Sequence, residues 1–196
     1  QDGLFYIIAL SQKKTRLFEA TSQHITEVDI TKYTPDNLME SLRFDDLQTH
    51  LQGHAGTVEG DGMMFHGHGG GKDNKPEQIK RFFDRMNNDL QPFFKNTKAP
   101  LVLAGVEYEI PIFRSAASYN NIVEGFVNGN YDTVDKHVLH ERAWELVKKH
   151  NATNHNLIKE TIHDFLGTGK ADTNLDEVVK KAHYGMVDEL YVSNRK

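Results

Sequence analysis

Asn74-Lys75-Pro76-Glu77 opens, and Leu101-Val102-Leu103-Ala104-Gly105-Val106 closes, the stretch whose reading decides the fold. Asn74 can cap a helix, Glu77 completes a capping box, and Pro76 is tolerated in the first turn. Ile79, Phe82, Phe83, Met86 and Leu90 then recur at helical spacing. Pro92 is expected to kink or end the helix near Gln91, and Lys98-Ala99-Pro100 ends the element. Leu101 to Val106 reads as a buried strand with Gly105 near its end. Upstream, Leu4-Phe5-Tyr6-Ile7-Ile8-Ala9-Leu10 is nearly all apolar, as a strand covered on both faces would be. A buried strand, a crossover helix and a second buried strand imply a parallel pairing.

Working outward, Gln12-Lys13-Lys14 is a polar turn, and residues 15–20 and 25–30 read as two further strands. With residues 4–11 they make an antiparallel meander. Past the second buried strand, Pro111 and the polar run Asn128-Gly129-Asn130-Tyr131-Asp132 suggest a linker near 125–134. Residues 135–149 and 153–166 are expected to form two helices, the second stopped by Gly167-Thr168-Gly169. Asp172-Thr173-Asn174 caps a third, with Leu175, Val178, Val179 and Ala182 inward and Gly185 as its stop. Residues 187–193 read as a strand, and no internal repeat is present. The expected division is one domain at 1–128 and the start of another at 134–196.

The 196-residue chain is 38% hydrophobic and 26% charged, a folded rather than disordered composition, long enough to bury a core without staples. It has no cysteine, which excludes disulfides, thiolate metal sites and cysteine nucleophiles. No apolar run approaches the ~18 residues of a membrane span, and no signal peptide is recognisable. The net charge of -5 argues against a generally nucleic-acid-binding coat while leaving room for a local basic face. From residue 134 onward ten basic residues balance ten acidic ones, so the whole excess belongs to residues 1–133. Both ends, at Gln1 and at Asn194-Arg195-Lys196, read as cut from something longer.

Residues 33–71 are the most informative for function. Six acidic residues there face only Arg43, and the stretch holds eight of the fifteen glycines and four of the eleven histidines. Its sharpest feature is Phe65-His66-Gly67-His68-Gly69-Gly70-Gly71-Lys72. Three consecutive glycines give a backbone free to approach another molecule closely, at an entropic cost. From Lys72 to Lys98 seven basic residues outnumber four acidic ones. A glycine loop beside a basic helix suits a phosphate-rich partner. Two other readings compete: an inert connector, and a metal site on His66 and His68, with His50 or His54. The absence of a Gly-Lys-Ser/Thr ending excludes a P-loop. Trp144 and the pairs Phe5-Tyr6, Phe82-Phe83 and Phe93-Phe94 read as core. Asp45-Asp46 and Glu107/Glu109 carry no spacing that separates an acid pair from a solvated turn and an edge strand.

The ordered motifs resemble a known pattern. A meander, a long excursion, His66-Gly67-His68-Gly69-Gly70-Gly71, a basic amphipathic helix and Leu101-Val102-Leu103-Ala104-Gly105 are similar to the middle domain of archaeo-eukaryotic peptide-chain release factors and their Pelota-like relatives. Gly167-Thr168-Gly169-Lys170-Ala171, Leu175-Asp176-Glu177-Val178-Val179, Gly185-Met186-Val187-Asp188 and Leu190-Tyr191-Val192 resemble the start of those factors' third domain. The match is to the bacterial branch. The resemblance implies an α/β chain: a ribonuclease H-like mixed-sheet domain carrying glycine loop 53–72, then part of an α/β domain with the fold of kink-turn-binding ribosomal proteins. It also implies that the family's N-terminal domain and the end of the third domain are missing. In release factors the loop ends in Gly-Gly-Gln, and the glutamine helps water attack the peptidyl-tRNA ester. The matching position here is Gly71, which has no side chain to orient water or serve an oxyanion.

The resemblance therefore implies a cytoplasmic factor of the translation-release or ribosome-rescue type, partnered by ribosome and tRNA, with no cofactor and no membrane. Gly67, Gly69, Gly70, Gly71, Lys72, Lys75, Lys80, Arg81 and Arg85 would contact RNA. Whether it is an enzyme stays open. The catalytic residues are unknown; His66, His68 and Gln52 are candidates for peptidyl-tRNA hydrolysis, with no partner identified for either histidine. The alternatives are a metal-dependent hydrolase using His66 and His68, and a nonenzymatic protein-interaction module.

Overall fold

The computed structural model describes residues 3–35, 37–43 and 75–192. By internal contacts it divides into residues 1–150 and residues 151–196.

The first unit is built on a five-stranded mixed sheet of order β3-β2-β1-β4-β5. The strands are β1 (Phe5–Ala9), β2 (Arg16–Ala20), β3 (Ile25–Val28), β4 (Leu101–Gly105) and β5 (Ile122–Asn128). β1, β2 and β3 form the expected antiparallel meander. β1 pairs with β4 in parallel, Tyr6 opposite Leu101 and Ala9 opposite Ala104, as a crossover through a helix requires. β4 pairs in parallel with β5 across a register irregularity near Leu101 and Leu103. The chain is thus mixed α/β.

The apolar runs of β1 and β4 are explained by two covered faces. Tyr6, Ile8 and Leu10 with Leu101 and Leu103 point into one core, against Ile79, Phe82, Phe83, Met86 and Leu90 of helix α1 (Lys75–Phe94). Ile110 and Phe113 of helix α2 (Glu109–Ala116) join that core. Phe5, Ile7 and Ala9 with Val102 and Ala104 point into the other, against Leu139, Ala143 and Val147 of helix α3 (Lys136–Phe165). A strand alternates its side chains between faces, so a strand buried twice has no polar position to spare. Trp144 is half-buried, stacked on Phe5 with ring centroids 5.7 Å apart. Gly105 sits where β4 passes the end of β1: a Cβ there would lie 3.2 Å from that of Leu10. Gly129, at φ 139°, turns the chain out of β5 against the Tyr131 ring.

Several expectations are corrected. α1 does not end near Gln91 but runs to Phe94 with Pro92 inside its last turn. Pro92 forfeits only one terminal bond there, and Lys95 N still donates to Gln91 O at 3.0 Å. The expected linker holds β5, and α2 precedes it with Pro111 in its first turn, where no donor is needed. Residues 135–149 and 153–166 are one helix, α3. The first compact unit therefore extends to His150, because the early turns of α3 cover the sheet.

In the second unit, helix α4 (Leu175–His183) starts at Asn174, whose side chain accepts from the amides of Asp176 and Glu177. Lys181 pairs with Asp172 at 2.7 Å, and this hydrogen bond holds the Asp172 carboxyl below its usual range. Leu175 and Val179 are not inward; both are exposed, as is Ala182. Among the described residues, 187–192 form no strand, contrary to the expectation. Among the described residues no helix is long and apolar enough to cross a membrane.

Candidate nucleic-acid interface

The expected interface joins a glycine loop to the basic side of α1. Its loop members, Gln52, His66, Gly67, His68, Gly69, Gly70, Gly71 and Lys72, lie outside the described residues, as do His50, His54, Asp45, Asp46 and Asn74. Among the described residues no group of three or more His, Asp or Glu could hold a metal ion.

The helical members are placed by the burial of the opposite side. Ile79, Phe82, Phe83, Met86 and Leu90 commit one stripe of α1 to the core, which leaves Lys75, Lys80 and Arg81 exposed and Arg85 half-buried. At 100° per residue, Arg81 and Arg85 share one flank. Lys80 lies on the other, where it lines a shallow depression with Pro76, Glu77, Pro111 and Ile112. Aspartates one turn on answer two of the cations. Lys80 Nζ lies 2.9 Å from Asp84, and Arg85 Nε lies 3.7 Å from Asp89. Pairs this exposed add at most about 1 kcal/mol to folding. Their larger effect is on the field: α1 up to Asp89 carries four cations against Glu77, Asp84 and Asp89, a net of +1. The surface is of mixed sign, and among the described residues no ion pair offsets Lys75 or Arg81.

Two polar groupings were not visible in the sequence. At the carboxyl ends of β1 and β4, Gln12 Nε2 donates to Glu109 Oε1 at 2.9 Å and to the Tyr108 hydroxyl at 2.6 Å. Glu109 is buried at the start of α2 rather than on an edge strand, and its Oε2 has no partner. Burial raises the Tyr108 phenol above its ordinary value. The second grouping is at the far end of α1. Asn87, Asn88, Gln91 and Lys95 face Ser118 and Tyr119 across a cleft floored by Phe94. The exposed amides on successive turns of α1 were the available signal. Their partners, Ser118 and Tyr119, follow in sequence only after β4 and α2.

The profile of bacterial archaeo-eukaryotic release factor family 7 matches residues 5–149. The chain belongs to this family. The matched range covers the sheet, α1, α2 and the sheet-covering part of α3, nearly the same residues as the first compact unit. Family 7 membership thus attaches to the unit that carries α1. A solved structure described as an archaeal protein is similar over 94% of this chain and 47% of its own length. The identity is 12% and the TM-score 0.38, and this family 7 chain spans about half that protein's length. No curated protein matches.

Proposed function

We propose that this chain is a ribosome-associated factor of the translation-release or ribosome-rescue type, acting in the cytoplasm on complexes that contain tRNA. The observation that carries this reading is the family match over residues 5–149. In this reading residues 1–128 supply the middle-domain sheet and the glycine loop 53–72. Residues 134–196 supply the first part of a third domain, with the start of α3 lent to the sheet. Gly67, Gly69, Gly70, Gly71 and Lys72 would reach RNA together with the flanks of α1. Lys75 and Arg81 would contribute most, since Asp84 and Asp89 offset Lys80 and Arg85. Gly71 stands where the family resemblance expects glutamine, so the role supported is recognition without ester hydrolysis.

The test is co-sedimentation of the protein with ribosomes across a salt series. Replacing Lys72, Lys75, Arg81 and Arg85 by glutamine should weaken sedimentation and flatten its salt dependence. Unchanged sedimentation would remove the reading. Beside it, a peptidyl-tRNA release assay on stalled ribosomes should find the natural protein inactive and Gly71→Gln gaining activity.

A further inference from the structure

The cleft at the carboxyl end of α1 has a volume of about 590 Å³, within the range of small-ligand sites. Its floor is two half-buried rings, Phe94 and Tyr119, with centroids 5.0 Å apart and planes 37° apart. Both rings are fixed from behind. Phe94 packs edge-on against Tyr6 at 5.4 Å, and the Tyr119 hydroxyl donates to Ala99 O at 2.6 Å. The wall is one ridge of α1 carrying Asn87 and Gln91 a turn apart, with Lys95 in the turn just past its end.

The two amides are oriented oppositely. Asn87 Oδ1 accepts from Ser118 N at 3.0 Å, which leaves its NH2 as the donor end. Gln91 Nε2 donates to the Ser118 hydroxyl at 3.3 Å, which leaves its oxygen as the acceptor end. Lys95 follows at the rim, and among the described residues no side chain is shown paired with it. Among the described residues no carboxylate lines the cleft. Two aromatic planes, a donor beside an acceptor and one cation match a nucleobase with its phosphate. A single lysine suits the one charge of a phosphodiester better than the multiple charge of a terminal phosphate.

We propose that this cleft holds one unstacked nucleotide of single-stranded RNA. The base lies against Phe94 and Tyr119, its hydrogen-bonding edge meets Asn87 and Gln91, and its phosphate meets Lys95. The proposal rests on the RNA-contact reading above and assigns it a base-binding subsite.

The test uses the full chain and a short fluorescent single-stranded RNA, read by anisotropy, beside an abasic strand of the same length. The abasic strand should bind roughly tenfold more weakly, and Gln91→Ala with Lys95→Gln should weaken the intact strand by a similar factor. Both residues are exposed, and an unchanged melting temperature shows that the variant folds. RNA carrying 4-thiouridine should crosslink to Phe94 or Tyr119. Equal binding of the two strands, an unaffected double variant, or crosslinks only elsewhere would overturn the proposal. Displacement by a free mononucleotide at concentrations below those needed of the RNA would overturn the RNA assignment. Ribosome sedimentation that survives while the cleft variants leave RNA binding intact removes the cleft alone. Loss of RNA binding in the variants, with no ribosome sedimentation of the natural protein, removes the translation reading alone.

Discussion

Arg16 shows how much a single side chain can organise. Its guanidinium forks onto both oxygens of Glu27 at 2.9 and 2.7 Å, and Nη1 donates to Tyr131 O and Val134 O at 3.1 and 3.0 Å. Its carbon lies 4.8 Å above the Phe18 ring. The hydrogen bond to Arg16 holds the Glu27 carboxyl below its usual range, so this contribution is present above the unfolded carboxylate value and fades as acid protonates Glu27. Arg16→Lys keeps the charge but cannot form the fork and two carbonyl bonds together. A loss of about 1–3 kcal/mol is expected in urea unfolding, and none would refute the clamp. Nothing near Arg16 in sequence announces this role, because two of its partners lie more than a hundred residues away. His150 has the same sign in a higher pH window. Its ring meets Asn121 Oδ1 at 3.0 Å, and burial lowers its pKa. The unfolded chain then binds the proton first, so His150 should make stability fall as pH drops below about 6.5. Comparing chemical melts of the natural protein and His150→Gln across that window should show a shallower slope in the variant; identical slopes would refute it.

At the scale of elements, periodicity was legible where one face is committed and misleading where local breakers are overridden. Ile79, Phe82, Phe83, Met86 and Leu90 announced α1, and the unbroken runs of β1 and β4 announced strands covered twice. Pro111 disguised α2, whose first turn accommodates it. β5 lacks clean alternation because it shifts register against β4, and Arg114 of α2 answers its carbonyls at Val123 and Glu124 across space. A break was expected at 150–152, yet α3 continues through it. The same logic separates folding from binding on α1. Phe83 is fully buried and meets Phe113 edge-on at 5.6 Å, so Phe83→Ala should cost about 3–5 kcal/mol. Arg81→Gln on the exposed flank should change stability by no more than about 0.5 kcal/mol. Equal losses in thermal melts would mean that the flank is structural and unsuited to the role given it.

For the whole molecule, the sequence motifs located the family and the sheet, whereas the amide cleft needed three dimensions because α1 and the Ser118 turn are brought together only by β4 and α2. Burial also divides the molecule energetically. The buried apolar residues end at Val147, and in residues 151–192 none is buried. Leu175, Val179, Tyr184, Met186 and Val192 are each more than half exposed there. Backbone hydrogen bonds without apolar cover open at little cost, while β1 and β4 can exchange only when both cores separate. Amides of 155–183 should therefore exchange with deuterium at least about a thousandfold faster than those of Phe5–Ala9 and Leu101–Gly105, after correction for intrinsic rates. The spectrum should hold across protein concentrations if this unit acts without copies of itself. Protection of 155–183 that matches the sheet would refute the division. Protection that rises with concentration would mean that a second copy covers Leu175, Val179 and Met186.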